Sequence, residues 1–571
     1  MKKERSATSM GINLISNVFS DAFWDASGAG QFHWGIILVF AIGGILILAN
    51  ILRRKIRFLR RALMPTAVIA GLGLLVVKEI IFHTTNVQGI EVGGYVFQGI
   101  RVCPYTGESY RYEIPRTFGH VFQSVFSSII YHALPIAFIA LGLRDKKDYS
   151  ESMTKEKKKM TRAATMKSGS VMVSSYLVQG LVGILVTVSL FAIIPELLPG
   201  AGLFLPLAFG QGGPQSYAMG GIWNSGPAGE YFNWQNFGLT LAAFGFIASS
   251  IPGVVMVNRI AKKKGITRRG NEYPKAGDMP MQQFEAADEV PLAEGIDKFT
   301  LQVCMVMGVY LLSIGLIFIL DVLFRLTGVQ FLIGLTPTLW GFAFMIAMLV
   351  ALATKAVLRK LRKEKIMKRQ YPNTYMMNRI AGFAFDISIV CALVMISVME
   401  LGIMWIPIII MAVLGALATG LWLKFITKRV FPAYKDEAFL AMYGTMTGTI
   451  SCGTILTREI DPHLKTPVSE DLVMGSAGAV PLAFPLIIFV QMAASGLHFI
   501  WIFAVVAVYL ALLTCYMLNV HKKIFRRRAV AVVSGVGGET SEETLNDRTE
   551  ENNTVSDTTE EAVSGETNTV E

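Results

Sequence analysis

The sequence is poor in charge. Of its 571 residues only 16% are charged, whereas about 25% is usual for a soluble globular protein. Hydrophobic residues make up 53% of the chain, and the mean hydropathy is +0.50. The apolar residues come in runs of about 20, the length that crosses a bilayer core. These features predict an all-α polytopic membrane protein.

Other absences narrow the possible functions. The five cysteines show no paired spacing and the seven histidines no metal-ligand pattern, which argues against a disulfide framework or a zinc site. There is no nucleotide-binding Gly-x4-Gly-Lys-Ser/Thr sequence and no nucleophile motif, so an ATP-driven pump and an enzyme are both disfavoured.

The net charge of +11 conceals two regions of opposite sign. Residues 539–571 contain eleven acids and one arginine, a net charge of −10, so the remainder of the chain carries +21 (11 + 10). Nucleic-acid binding is one explanation of that excess. Basic cytoplasmic loops of a membrane protein are the explanation we favour, and we expect no nucleic-acid partner. The acidic tail has almost no aromatic residues, which predicts disorder.

The apolar runs predict eleven transmembrane helices. They cover 34–52, 63–81, 119–143, 169–194, 237–258, 300–324, 332–354, 380–401, 403–424, 471–493 and 497–519. Basic residues concentrate in every second connection, at 53–61, 144–167, 259–275, 355–379 and 521–528. We expect the protein to lie in the cytoplasmic membrane. The positive-inside rule then places its N-terminus outside the cell and its C-terminus in the cytoplasm.

Two glycine-rich, polar segments do not fit as crossings, because a full crossing would put a basic loop on the wrong face. We interpret 201–222 and 438–457 as re-entrant loops, since irregular backbone is tolerated at membrane depth only when it is buried in protein or lines a cavity. The sequences MPTAVIAG (64–71) and TPTLWG (336–341) begin spans of opposite predicted direction.

These echoes predict two inverted-topology five-helix repeats, 34–258 and 300–493, each with one re-entrant loop. The remaining parts are an extracellular N-terminal segment (1–33), a cytoplasmic linker (259–299), an extra transmembrane helix (494–520) and a basic, then acidic, disordered tail (521–571). Inverted repeats with broken helices are typical of secondary transporters, whose binding sites lie where the broken elements meet.

The second loop contains the sequence YGTMTGTISCG (443–453), which is dense in hydroxyl groups. Hydroxyl and carbonyl oxygens suit a dehydrated Na⁺. The candidate ion ligands are Thr445, Thr447, Thr449 and Ser451, with backbone carbonyls near Gly444 and Gly448. Close packing of small residues is the alternative; it explains the glycines but not the hydroxyls.

The first loop offers amide groups that suit a carboxylate substrate, because free N–H groups at helix N-termini attract anions. The candidate substrate residues are Gln211, Gly212, Gly213, Gln215 and Ser216, with Asn224 as a further amide. Arg458 could pair with a substrate carboxylate; a salt bridge with Glu459 or Asp461 is the alternative.

Several of these motifs resemble the sodium:glutamate symporter family. They are the Gly210-Gln211-Gly212-Gly213 run, the stretch 444–449, MPTAVIAG, IALGLR (139–144) and TREIDP (457–462), and the resemblance extends loosely over 40–493. In two departures, Gln211 stands where the family tends to have histidine, and Ser451 lies near its usual asparagine.

The resemblance implies Na⁺-driven uptake of an acidic amino acid such as glutamate by a homodimer in the lipid bilayer. A symporter of another carboxylate and a proton-coupled carrier remain alternatives, and Asp386, inside a predicted span, is the acid to consider for the latter. A channel is disfavoured because a pore usually needs rings of one residue type from several subunits.

Overall fold

The computed structural model describes residues 30–102, 109–144, 155–265, 295–334, 336–366, 372–461, 466–494 and 498–533. Most of the predicted N-terminal segment, linker and acidic tail therefore lies outside the described residues. The chain divides into two compact units, 1–510 and 511–571.

The described chain is mainly helical. Its helices are α1 (Gly30–Lys55), α2 (Arg57–Arg61), α3 (Thr66–Thr85), α4 (Phe118–Leu143), α5 (Lys155–Phe191), α6 (Gly213–Asn224), α7 (Trp234–Lys264), α8 (Gly295–Leu326), α9 (Gln330–Gly334), α10 (Thr336–Gly341), α11 (Ala343–Lys363), α12 (Thr374–Val394), α13 (Trp405–Val430), α14 (Lys435–Thr447), α15 (Ile450–Arg458), α16 (Val468–Ala494) and α17 (Phe499–Val533).

Nine helical stretches within the described ranges are long and apolar enough to cross a membrane, which confirms a polytopic membrane protein. They are Ile37–Lys55, Thr66–Thr85, Phe118–Leu143, Thr165–Phe191, Trp234–Lys264, Phe299–Leu326, Met376–Val394, Met399–Val430 and Phe499–Leu518. The predicted span 380–401 ends earlier than expected, because its helix stops at Val394 and a 3₁₀ turn, Met399–Met404, precedes α13.

The other two predicted spans are not among these nine stretches. The span 332–354 is interrupted at Phe342, and its second part, α11, ends in a basic turn with Lys360, Arg362 and Lys363. The span 471–493 lies inside the continuous helix α16, which includes the shorter apolar stretch Leu482–Ala494. The total of eleven stays a prediction.

A β-hairpin departs from the predicted all-α fold. Strands β1 (Glu91–Val102) and β2 (Ser109–Thr117) pair antiparallel, with Phe97 opposite Ile114 and Val102 opposite Ser109. The hairpin connects α3 to α4 inside the loop 82–118. The residues SYRYEIP (109–115) alternate between polar and apolar side chains, which is the pattern of a half-buried strand.

The C-terminal helix also corrects a prediction. Helix α17 continues to Val533, so the basic stretch 521–528 extends the helix instead of beginning a disordered tail. Residues 534–571 of the predicted tail lie beyond the part of the chain that the structure describes.

The helices of the first unit pack in two groups. Group A consists of α1, α3, α4, α8, α11 and α12; within it α3 packs on α1 and α12, α11 packs on α8 and α4, and α4 packs on α12. Group B consists of α5, α7, α13 and α16 with the two polar segments; within it α5 packs on α16 and α13, and α13 packs on α7.

Glycines allow the closest contacts in group B. A Cβ on Gly183 of α5 would collide with the backbone of Gly202, and a Cβ on Gly169 would lie 2.6 Å from the carbonyl carbon of Gly478 in α16. These approaches bring backbone against backbone, as small residues do in membrane helix packing.

Candidate functional site

The first polar segment, 199–224, is a helical hairpin that breaks at Gly212. A 3₁₀ turn (Pro199–Leu203) and a π-helical turn (Leu207–Gln211) precede the break, and α6 follows it. Gly212 has φ +101°, a conformation that glycine adopts without a steric penalty. Phe204 and Trp223 meet with ring centroids 5.1 Å apart, so the two halves fold back on each other.

The second polar segment, 435–458, is also a hairpin, with its break at Gly448 and Thr449. Helix α14 ends at Thr447 and α15 begins at Ile450, with Thr449 as the N-cap whose Oγ1 accepts a hydrogen bond from Cys452 N (3.4 Å). A Cβ on Gly444 would lie 2.7 Å from Gly453 Cα, so the halves pack closely.

Polar contacts fix the base of the second segment. Lys264, at the end of α7, binds Glu437 at 2.6 Å and Asp436 at 3.5 Å in the first turn of α14. The Tyr434 hydroxyl donates to Asp471 at the start of α16. Burial, followed by the Asp471 carboxylate, raises the pKa of Tyr434, so the phenol stays protonated as the donor. The segment is therefore held at its base by α7 and α16.

The two breaks lie close together because α5 contacts both. The Tyr176 hydroxyl donates to Gly210 O (3.2 Å), and Gln179 Nε2, one turn later, donates to Met446 O (2.8 Å) and to Thr419 Oγ1 of α13 (2.9 Å). Gly210 and Met446 each lie near the end of the first half of their hairpin. The tertiary structure thus places one carbonyl group from each hairpin on the same face of α5.

Helix α7 contacts both breaks from another side. A Cβ on Gly245 would lie 2.7 Å from Thr447 O and 3.0 Å from the Phe209 ring. The Ser249 hydroxyl donates to Gly444 O at 3.4 Å. Only a glycine at position 245 leaves room for both segments to approach α7.

Buried polar atoms without a hydrogen-bond partner gather on the first segment and on the helices that hold it. The atoms of this kind on the first segment, α5 and α7 are Gln179 Oε1, Gln211 Nε2, Gln215 Oε1, Ser216 Oγ, Trp223 Nε1 and Ser250 Oγ. Leaving such groups unsatisfied in a buried site costs free energy. Gln211, Gln215 and Ser216 are predicted substrate residues, so their unused capacity fits a polar ligand at the start of α6.

The predicted ion ligands do not converge on one point. Thr445 and Thr447 are buried, and their hydroxyls donate to Ala441 O and Tyr443 O, each at 2.8 Å. The two residues are separated by roughly 200° around α14, with Thr445 facing Gly453 of the other half. Thr449 caps α15, and Ser451 is exposed. At most a subset of the four can bind one ion.

Two further candidates lie away from the breaks. Arg458 is exposed at the end of α15, about 12 Å along the helix axis from Ile450. Asn224 ends α6 and accepts a hydrogen bond from Trp234 N (2.8 Å), while its amide donates to Asn233 and Gln235. Asn224 therefore connects α6 to the start of α7 and is not at the break.

Sequence reasoning missed Tyr176, Gln179, Gly245 and Ser250. Gln179 could have been identified from the sequence, since a polar side chain inside an apolar span indicates a functional role. The other three resemble ordinary packing residues until both segments are in place.

No family model matches the chain, and no curated protein matches it. Within the described ranges no group of three His, Cys, Asp or Glu side chains could hold a metal ion.

A cavity of about 190 Å³ separates the two helix groups beside α6. Its lining includes Tyr131, Pro135, Tyr217, Ile222, Gly341 and Phe344. The cavity follows the C-terminal half of α6 and does not reach Gln211 or Gln215 at the other end. We interpret it as space between the groups and not as the binding site itself.

Proposed function

We propose that the protein is a Na⁺-coupled secondary transporter that imports an acidic amino acid such as glutamate by alternating access. The observation that carries the proposal is the meeting of two broken hairpins in group B, with unpartnered buried polar side chains beside the contact. Broken helices that meet in this way form the binding sites of many secondary transporters.

The packing of the helices supports two inverted repeats. If α1, α3, α4, α5 and α7 correspond in order to α8, α11, α12, α13 and α16, the main contacts have counterparts. Helix α3 packs on α12 as α11 packs on α4, and α5 packs on α16 as α13 packs on α7. The broken segments correspond in the same scheme, since each precedes the last helix of its repeat.

The start of α6 is suited to the substrate carboxylate. The N–H groups of Gly213 and Gln215 lie in the first turn of this twelve-residue helix, where Pro214 has no N–H. The helix dipole favours an anion there. Gln211, Gln215 and Ser216 would add side-chain hydrogen bonds, and Gly212 would allow the substrate to approach the backbone closely.

The end of α14 is suited to Na⁺. Carbonyl groups in the last turn of a helix lack intrahelical partners, and the carbonyls between Gly444 and Thr447 point to the negative end of the helix dipole. The Thr447 hydroxyl donates a hydrogen bond to Tyr443 O. The lone pairs of the hydroxyl oxygen therefore remain available to coordinate a cation. We assign the ion to this end, with one threonine hydroxyl and the backbone carbonyls.

Alternating access would occur by movement of group B against group A. The contact between them is apolar where α7 meets α12: Leu239, Ala243 and Phe246 share a hydrophobic cluster with Val390 and Ala392. An apolar interface without interlocking ion pairs can slide at low cost. A homodimer in the cytoplasmic membrane, with eleven spans and a cytoplasmic C-terminus, completes the proposal.

Substrate counterflow in proteoliposomes tests this function. Vesicles loaded with unlabelled glutamate should accumulate labelled glutamate only when Na⁺ is present, and a panel of amino acids and dicarboxylates identifies the substrate. Counterflow without Na⁺, or uptake driven by a pH gradient in Na⁺-free medium, would contradict Na⁺ coupling, and Asp386 would then be tested first. Flux without counterflow would indicate a channel.

A further inference from the structure

Lys78 lies near the end of α3 and is only 8% exposed. Its ammonium donates to Ile396 O at 2.6 Å and pairs with Glu79 at 2.7 Å. Ile396 lies two residues beyond the end of α12. A cation at a helix C-terminus is favourable because carbonyls there lack partners and carry the negative end of the dipole.

Lys355 makes the corresponding contact at the end of α4. Its ammonium, eight residues before the end of α11, donates to Gly142 O (3.1 Å) and Arg144 O (2.7 Å). Arg144, the residue that ends α4, also donates to Asn378 Oδ1 of α12 at 2.9 Å. The chain leaving α4 is therefore held by two other helices of group A.

The two lysines occupy similar positions relative to the ends of their helices. Each lies seven or eight residues before the end of its helix and binds carbonyls at or just beyond the C-terminal end of a helix from the other half of the sequence. These carbonyls lie where the chain leaves group A for group B, at α4 to α5 and at α12 to α13. Capping of a helix C-terminus explains each lysine contact alone, but it does not explain why both contacts occur where the chain leaves group A.

Group B contacts the same connector one residue later. Asn236 of α7 donates to Ser397 O (2.7 Å) and accepts from Ser397 N (3.0 Å). Lys78 of group A thus holds Ile396, Asn236 of group B holds Ser397, and Glu79 Oε1 of group A accepts a longer hydrogen bond from Val398 N (3.5 Å). Contacts from both groups therefore meet within residues 396–398 of the connector.

We infer that Lys78 and Lys355 are paired positioning residues that fix the group A ends of the two connectors. Group B then moves relative to Ile396 and Arg144, the residues at which these contacts hold the chain, one in each half of the sequence. The inference rests on the proposed function only in that group B moves; substrate and ion identity do not enter.

Pulsed electron paramagnetic resonance in nanodiscs, on a cysteine-free chain with spin labels, tests this inference. Leu312 of α8 and Leu417 of α13 report the distance between the groups; Ile47 with Leu312 reports group A alone, and Leu185 with Leu417 group B alone. All four side chains are exposed.

Two variants are compared with the parent. The first combines Lys78→Met with Glu79→Gln, so that no carboxylate is left unpaired, and the second is Lys355→Met. Lys360→Met is the matched control, since Lys360 is 78% exposed on the same helix as Lys355.

Both lysine variants should broaden or shift the Leu312–Leu417 distance distribution. They should leave the two within-group distributions and the melting temperature as in the parent, and Lys360→Met should change none of them. An unchanged Leu312–Leu417 distribution in either lysine variant overturns the paired role. Equal broadening within the groups overturns it too, because the lysines would then only stabilise the fold. Absence of uptake would refute the proposed transport function without altering these distances.

Discussion

The two broken segments share an architecture but differ in how their polar groups are satisfied. In the first, Gln211, Gln215 and Ser216 keep buried atoms without a partner. In the second, Thr445 and Thr447 donate to their own helix, and Thr449 caps the next one. Two of these atoms, Gln211 Nε2 and Ser216 Oγ, can donate beside a helix start and favour an anion, whereas hydroxyl oxygens whose protons are already donated favour a cation. A single architecture used twice can therefore bind two ligands of opposite charge.

The largest effect is expected where both segments depend on one residue. Gly245→Ala places a methyl group against Thr447 O and the Phe209 ring, at 2.7 and 3.0 Å. Overpacking of this kind costs about 1–3 kcal/mol, and here it separates the two breaks, so we expect uptake to be lost. Uptake per folded molecule, counted by size-exclusion chromatography, is the measurement.

Gly43→Ala is the matched control, because a Cβ on Gly43 of α1 meets nothing within 4 Å. It should transport like the parent. Parent-like uptake by Gly245→Ala would show that close contact of the two segments is not needed.

Thr447→Val should specifically weaken Na⁺ binding. The change is nearly isosteric and removes one oxygen ligand worth about 1.5–3 kcal/mol, so the half-saturating Na⁺ concentration should rise on the order of tenfold to a hundredfold. Thr447→Ser keeps the oxygen and should be mild. Thr445→Val should titrate close to the parent, because Thr445 faces Gly453 inside the hairpin.

Na⁺ titrations of uptake separate this result from simple packing. If packing alone explains the second segment, both valine variants are tolerated and Gly448→Leu is damaging, since a Cβ at Gly448 already lies 2.8 Å from Cys452 Sγ. Parent-like titration of Thr447→Val would remove the ion from the end of α14.

Features that depend on neighbouring residues were predicted well from the sequence, whereas contacts between residues far apart in the chain were not. The breaks at Gly212 and Gly448 fall inside the segments 201–222 and 438–457, because glycine clusters and Pro214 disrupt helices whatever surrounds them. Gln179 was missed because its partner, Met446, is 267 residues away. The interruption at Phe342 follows Gly341, but a single glycine in an apolar run does not by itself predict a break. The side chains of Thr445 and Thr447 point in different directions because helix α14 extends through Thr447. The sequence predicted a re-entrant loop there, so this difference in direction could not be foreseen.

Gln215→Met should weaken substrate binding more than Na⁺ binding. It removes an amide whose buried Oε1 has no partner from a 7%-exposed side chain while keeping the length of that side chain. Because Oε1 can accept a hydrogen bond from the ammonium group of an amino-acid substrate, the half-saturating substrate concentration should rise about tenfold, the value of one hydrogen bond to a charged group. Gln123→Met, at an exposed position on α4, is the control. If Na⁺ affinity falls instead, the assignment of anion and cation to the two segments is reversed.

The smallest effect is expected at Arg458, although its charge made it a natural partner for a carboxylate. The side chain is exposed at the far end of α15, and substitutions at such positions change free energies by about 0.5 kcal/mol or less. Arg458→Gln should therefore change the half-saturating substrate concentration by no more than about twofold. A bidentate pair with the substrate would be lost in the same variant, at a cost of about 1.5–3 kcal/mol, or roughly tenfold to a hundredfold in concentration. Arg458→Lys separates charge from geometry, since lysine keeps the charge but cannot form the planar fork. A tenfold rise for both variants would mean that the end of α15 contacts the anion, and the second segment would then bind both ligands.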